Sequence, residues 1–221
     1  MDKISILFDL DGTLTDPYQG ITRSICHAMA SLGRPLPPQT DLRWCIGPPL
    51  KESFSILLES DDDSLVENAL VIYRERFGSI GLFENKLYAG IPQALKKLQE
   101  ACHPLFVATS KPWVYAQRIV DHFGLGQYFN HIHGSELDGT RTDKTSLVSY
   151  ILNRESLDPS RAVMVGDRRH DMIGATANKV RGIGVLWGFG TQKELTDSGA
   201  SACIQSPPGL VTAFSKKNSD K

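Results

Sequence analysis

The chain is predicted to be an α/β protein, with a parallel sheet of about five strands and an inserted helical domain. Three observations lead there. Short apolar runs at Ile4–Phe8, Leu105–Ala108, Phe129–His133, Ala162–Val165 and Ile183–Leu186 alternate, in the later part, with helical patterns, which is the signature of βαβ units. Between Thr15 and Ala89 the chain is far too long for one crossover helix, so an insertion must lie there. Finally, the acidic clusters Asp9/Asp11 and Asp167/Asp171 each follow an apolar run. That puts both at the carboxyl ends of strands, where open parallel sheets hold their ligands.

The elements follow in order. After the first strand, Asp16 and Pro17 read as an N-cap and a first helical residue. Ile21, Ile25, Ala28, Met29 and Leu32 then mark one helical face, which ends at Gly33. A proline-rich loop, residues 34–38, is followed by helical patterns over about Thr40–Ile46, Pro48–Leu58 and Ser64–Phe77. The chain leaves for the insertion near Asp16 and returns near Lys86 to Gly90, the mark of an inserted domain that can hinge over a site. Residues 1–15 and 87–221 are therefore the core, and residues 16–86 a helical cap. Within the core, Pro112 suits a first helical turn, Gly124 closes the Trp113–Phe123 pattern, and Leu147, Val148, Ile151 and Leu152 form another inward face. The polar tail from Ser215 to Lys221 reads as frayed.

Bulk properties narrow the function. The chain has 221 residues and a formal net charge of -1. It lacks the broad basic footprint expected of a nucleic-acid or anionic-membrane binder. Its four cysteines are scattered and read as reduced thiols. No apolar stretch approaches the ~18 residues of a membrane span, and Met1-Asp2-Lys3 runs straight into a strand without a signal-peptide core. A cytoplasmic protein is expected, acting neither on a nucleic-acid polymer nor at a membrane.

Carboxylates gathered at one place repel unless a hard cation sits among them, and oxygen ligands suit Mg²⁺. The run Asp9-Leu10-Asp11-Gly12-Thr13-Leu14 resembles the first motif of the haloacid dehalogenase-like superfamily. Thr109 after Leu105–Ala108 resembles its second motif, Lys144 in Thr142-Asp143-Lys144-Thr145 its third, and Gly166-Asp167 with Asp171 its fourth. The similarity runs through nearly the whole chain, in the right order, with the insertion where one cap type of the family lies. It implies a Rossmann-like core with a parallel sheet and an α-helical cap.

The resemblance also implies roles, each with a physical reason. Asp9 is the candidate nucleophile, forming an aspartyl-phosphate. Asp11 is the candidate acid/base, protonating the leaving oxygen and later activating water, which needs a raised pKa. The Mg²⁺ ligands would be Asp9, Asp167, the backbone carbonyl of Asp11, and Asp171 directly or through water. Thr109, Ser110 and Lys144 would bind the phosphoryl group. Lys111 rivals Lys144 for the cationic role, although Ser110-Lys111-Pro112 also reads as the start of a helix.

The loop Ile46-Gly47-Pro48-Pro49-Leu50 resembles that of phosphoglycolate phosphatase-like and bacterial 5′-nucleotidase-like members. Gly47 and Arg23 are the cap candidates for substrate binding, and Arg43 and Lys51 are further cap cations. The bland alternatives are a helix connector and solvated surface charges. Arg168 and Arg169 read as a solvated helix start, and His27, His103, His122, His131 and His133 show no ligand spacing. An acidic Asp11 argues against dehalogenation, since halide leaves without a proton. A phosphatase for a phosphoglycolate-like acid or a nucleoside 5′-monophosphate leads. A phosphomutase acting on a sugar phosphate, and a phosphorylatable or ligand-sensing regulator without turnover, remain open.

Overall fold

The strand Ser5–Phe8 (β1) has Ile6, Leu7 and Phe8 fully buried. A run apolar on both faces can be stable only at the centre of a covered sheet, where each such side chain contributes about 1.5–3 kcal/mol. A computed structural model describes residues 3–215, so the predicted fraying after Ser215 lies outside the described residues. In it β1 pairs in parallel with Leu105–Pro112 (β4) on one side and Ala162–Gly166 (β6) on the other. His131–Ser135 (β5), Arg181–Val185 (β7) and Ala200–Ile204 (β8) extend a six-stranded sheet in the order β5-β4-β1-β6-β7-β8. The two remaining strands, Thr15–Asp16 (β2) and Lys86–Leu87 (β3), form a separate two-stranded ribbon.

The predicted parallel sheet is present with one strand more than expected. In β8 only Ile204 is buried, so its sequence carries no apolar run by which to recognise it. β5 also begins two residues later than expected. A 3₁₀ turn at Gly126–Tyr128 holds the preceding segment, and Asn130 ties it to Leu105 through its backbone N–H and its side chain.

Helices cover both faces of the sheet. Leu7, Phe106, Ala108 and Met164 point to one face and pack with Leu147, Val148 and Ile151 of Lys144–Arg154 (α6) and Ala175 of Arg169–Ala177 (α7). Ile91–Glu100 (α4) buries Ile91, Ala94, Leu95 and Leu98 and packs beside Pro208–Ser215 (α9). Trp113–His122 (α5) packs on β4 and β5, and Gln192–Asp197 (α8) on β8. Pro112 stands at the N-cap of α5 with ψ 129° rather than inside its first turn.

The chain divides into two compact units, Met1–Asp16 with Leu87–Lys221, and Pro17–Lys86. The second unit contains Tyr18–Ser31 (α1), Leu50–Leu58 (α2) and Asp63–Arg76 (α3). Its core includes Ile25, Met29, Phe54, Leu58 and Tyr73. Asp62 caps α3 by accepting from Ser64 N, whereas α1 begins after Pro17 with no side-chain cap, because Asp16 ends β2. The helix expected over Thr40–Ile46 is only a 3₁₀ turn at Arg43–Cys45. Asp41 accepts from the Arg43 N–H at 3.0 Å, a local turn that competes with helical bonding.

Candidate active site

The register of the three central strands decides which residues meet. Phe8 lies beside Val107 of β4 and Val165 of β6, so Asp9 and Asp167 leave the sheet at its carboxyl edge, while Thr109 stands within β4 at the irregularity between Ala108 and Pro112. Past β1 the chain turns sharply, with the N–H groups of Thr13, Leu14 and Thr15 all directed to the Leu10 carbonyl. Gly12 sits at φ 87°, and a Cβ there would lie 2.2 Å from Asp167 Oδ2. The glycine therefore serves both the turn and the close approach of the two motifs.

Asp9, Asp167 and Asp171 form one buried cluster of carboxylates whose oxygens lie within 4.8 Å of one another. Lys144 Nζ reaches into it, 2.8 Å from Asp9 Oδ1, 2.8 Å from Asp171 Oδ1 and 2.9 Å from the Ala108 carbonyl. Asp143 fixes its backbone as the N-cap of α6, accepting from Ser146 N. Burial opposes the Lys144 charge, but Asp171 and Asp9 outweigh it and hold its pKa above the ordinary lysine value. Burial pushes the Asp167 carboxyl well up, reinforced by the charges of Asp171 and Asp9 and relieved only partly by the Phe189 N–H. Asp171 also rises through burial, although Lys144 and the Arg168 N–H work against the rise.

These residues fit a divalent cation. Three carboxyl groups surround one ammonium in a buried site. All the donors are oxygens. Asp171 Oδ1 meets only the Lys144 ammonium among the described residues, at 2.8 Å.

Asp11 is separate from this cluster. Its Oδ2 is 2.8 Å from Lys111 Nζ in a nearly buried pair, and its Oδ1 has no hydrogen-bond partner among the described residues. Burial raises its pKa, the Lys111 ammonium draws it back only partly, and the charge of Asp9 adds to the rise. A raised carboxyl pKa is what general acid/base catalysis calls for.

The haloacid dehalogenase-like hydrolase family model matches residues 6–185. The chain belongs to this family. A 5′-nucleotidase of Pseudomonas aeruginosa is 48% identical over 191 residues, 86% of each chain. The tyrosine-protein kinase PtkA of Mycobacterium tuberculosis is 39% identical over 185 residues, 84% of this chain but 62% of that protein. Among solved structures, a predicted phosphatase from Clostridium acetobutylicum superposes with a TM-score of 0.91 at 38% identity, covering 96% of this chain and 99% of the other. The protein is thus an enzyme, a phosphatase of the haloacid dehalogenase-like hydrolase family. That family generally uses a divalent metal ion, and the acidic cluster for one is present here.

Other expected site residues fall as follows. Thr109 is buried, and its Oγ1 accepts from Lys111 N at 3.2 Å. Ser110 is half-buried, its carbonyl accepting from Ser135 Oγ. Lys111 pairs with Asp11, whereas Lys144 meets Asp9 and Asp171. In the Pro17–Lys86 unit, Gly47 has φ 106°, fitting the sharp turn before α2. Arg23 is paired with Glu84 at 2.7 Å, Lys51 with Asp63 and Glu67, and Arg43 lies over the Tyr18 ring.

What family motifs did not indicate is the support behind Asp167. The Phe189 N–H donates to its Oδ2 at 2.7 Å, and a Cβ on Gly188 would lie 2.4 Å from that oxygen. Trp187 Nε1 donates to the Thr13 carbonyl, tying this loop to the first motif. The only sequence signal was the glycine-rich Trp187-Gly188-Phe189-Gly190 after β7. The Arg168 guanidinium bonds Glu194 through Nε, whereas Arg169 gives Glu194 only its backbone N–H and is exposed. Gly12→Ala is expected to cost at least about 1–3 kcal/mol from backbone strain alone. It should also weaken divalent-ion binding, measured by urea denaturation and Mg²⁺ titration of the variant.

Proposed function

We propose that this phosphatase is Mg²⁺-dependent and hydrolyses a small phosphomonoester through an aspartyl-phosphate on Asp9. The observation that carries the reading is the buried cluster of Asp9, Asp167 and Asp171 oxygens, with the Lys144 ammonium reaching into it. Mg²⁺ held by Asp9, Asp167, Asp171 and the Asp11 carbonyl would offset the repulsion between carboxylate and phosphate dianion.

The residues of the chain then divide the work. Lys144 holds Asp9 Oδ1, which leaves Oδ2 to attack phosphorus and form the P–O bond as the ester oxygen departs. Thr109 and Ser110 bind phosphoryl oxygens from the irregular carboxyl half of β4. Asp11, its pKa raised by burial, gives its proton to the departing oxygen. Once ionised, it takes a proton from the water that attacks phosphorus, releasing phosphate and restoring Asp9.

A nucleoside 5′-monophosphate is the first substrate to test, on the strength of the 5′-nucleotidase similarity and the resemblance carried by Ile46 to Leu50. A phosphoglycolate-like acid is the next. Transfer to an acceptor other than water is the second reading, favoured by the relative named as a tyrosine-protein kinase. Selection among substrates is assigned to residues 17–86, and a cytoplasmic monomer or homodimer is the expected form.

A panel of nucleoside monophosphates, phosphoglycolate and sugar phosphates, assayed for phosphate release with and without Mg²⁺, tests the proposal. Mg²⁺-dependent release from a member of the panel is expected. A stable phosphoprotein with no release would refute hydrolysis. Asp11→Asn should slow both half-reactions by about 10²–10⁴-fold while largely keeping Mg²⁺ affinity. Unchanged single-turnover rates would remove Asp11 from the acid/base role.

A further inference from the structure

A second group of potential metal ligands lies on the edge strand, outside the phosphoryl site. His131 and His133 alternate along β5, so their side chains share one face of the sheet. Both meet the carboxylate of Glu155, the C-cap residue of α6. His131 Nδ1 is 2.8 Å from Glu155 Oε2, and His133 Nε2 is 3.0 Å from Oε1. One ligand atom from each of the three residues lies within 4.8 Å of the others. His133 and Glu155 are nearly buried, with side chains 11% and 13% exposed, whereas His131 is 63% exposed.

We propose that His131, His133 and Glu155 bind a divalent transition-metal ion, with Zn²⁺ as the representative. Two imidazoles and one carboxylate are a borderline-soft donor set that suits Zn²⁺ over Mg²⁺, and leave a fourth position for water. In a tetrahedral site with Zn–N and Zn–O near 2.1 Å, the ligand atoms stand roughly 3.4 Å apart. Each ring nitrogen lies about half an ångström inside that spacing from its nearest Glu155 oxygen, and the ligand atoms of the three residues lie within 4.8 Å of one another.

The surroundings support the assignment. Burial lowers the His133 pKa and Arg154 adds to that effect, while Glu155 opposes it and the net shift is downward. A neutral imidazole is the ligating form. The Tyr150 ring packs edge-on against His133 and limits its rotation. Arg154 is the adjacent cation that the ion must tolerate, and the Glu155 carboxylate offsets it. A bound ion ties the C-terminal end of α6, the helix that begins with Lys144, to the sheet edge.

The test is Zn²⁺ titration of the full chain against a chromophoric chelator, with Mg²⁺ in excess to occupy the carboxylate cluster. One Zn²⁺ per chain should bind and raise the Tm. His131→Ala, an exposed position whose loss leaves Mg²⁺-dependent activity intact, should weaken Zn²⁺ at least about 100-fold, more than losing an outer-shell partner commonly does. Asp167→Asn should keep the Zn²⁺ site. Absence of Zn²⁺ uptake by the wild type, unchanged affinity in His131→Ala, or loss of the ion in Asp167→Asn would each overturn the assignment.

Discussion

Asp9→Asn is expected to lower phosphate release by at least about 10⁴-fold, as removal of a nucleophile does in other covalent mechanisms. It should also abolish trapping of beryllofluoride, the acyl-phosphate mimic. The amide keeps the shape of the side chain and can still accept a hydrogen bond from Lys144 Nζ, now 2.8 Å from Asp9 Oδ1. What disappears is the charge and nucleophilicity of the second oxygen. Stability separates this outcome from simple unfolding. Asp9 adds to the carboxylate repulsion felt by Asp167 and Asp171, so the metal-free variant should be at least as stable as the wild type. Turnover near wild type in a folded Asp9→Asn protein would place the nucleophile elsewhere.

The sheet and its catalytic edge were legible in the sequence because each depends on short-range pattern. Ile6 to Phe8 and Ala162 to Val165 are continuous apolar runs, which only a doubly covered strand can bury. Acidic residues directly after such runs must emerge at the sheet edge. β8 escaped for the opposite reason, since an edge strand needs one buried face and here only Ile204 is buried. The lysines show a further limit. Lys144 is itself the third-motif lysine and Lys111 follows the second motif by two residues, and nothing local tells which carboxylate each will meet. The answer depends on where α6 and β4 lie in space, with Lys144 on Asp9 and Lys111 on Asp11. His131 and His133 were passed over for a related reason. Their third partner, Glu155, is more than twenty residues away and joins them only because α6 ends beside β5.

Lys144→Met should be the most destabilising of the single substitutions considered, costing about 3–5 kcal/mol in the metal-free protein. Methionine keeps an unbranched chain in the buried space but removes the ammonium that meets both Asp9 and Asp171, whose side chains are nearly buried. Three carboxylates then face one another without that counter-charge, and the Ala108 carbonyl loses its donor. The sign with pH follows from the raised Lys144 pKa. Its stabilising effect is fully present below the unfolded lysine value of about 10.4 and fades only as pH rises towards the higher folded value. The gap between wild type and variant should therefore persist through neutral pH and narrow in alkali. Lys144→Met with Asp171→Asn removes one of the stranded charges and should recover a large part of the stability, a non-additive result for residues in contact. Activity should not return, because Asp9 Oδ1 is still unheld. Identical urea midpoints for wild type and Lys144→Met would show that this lysine is not the buried counter-charge of the site.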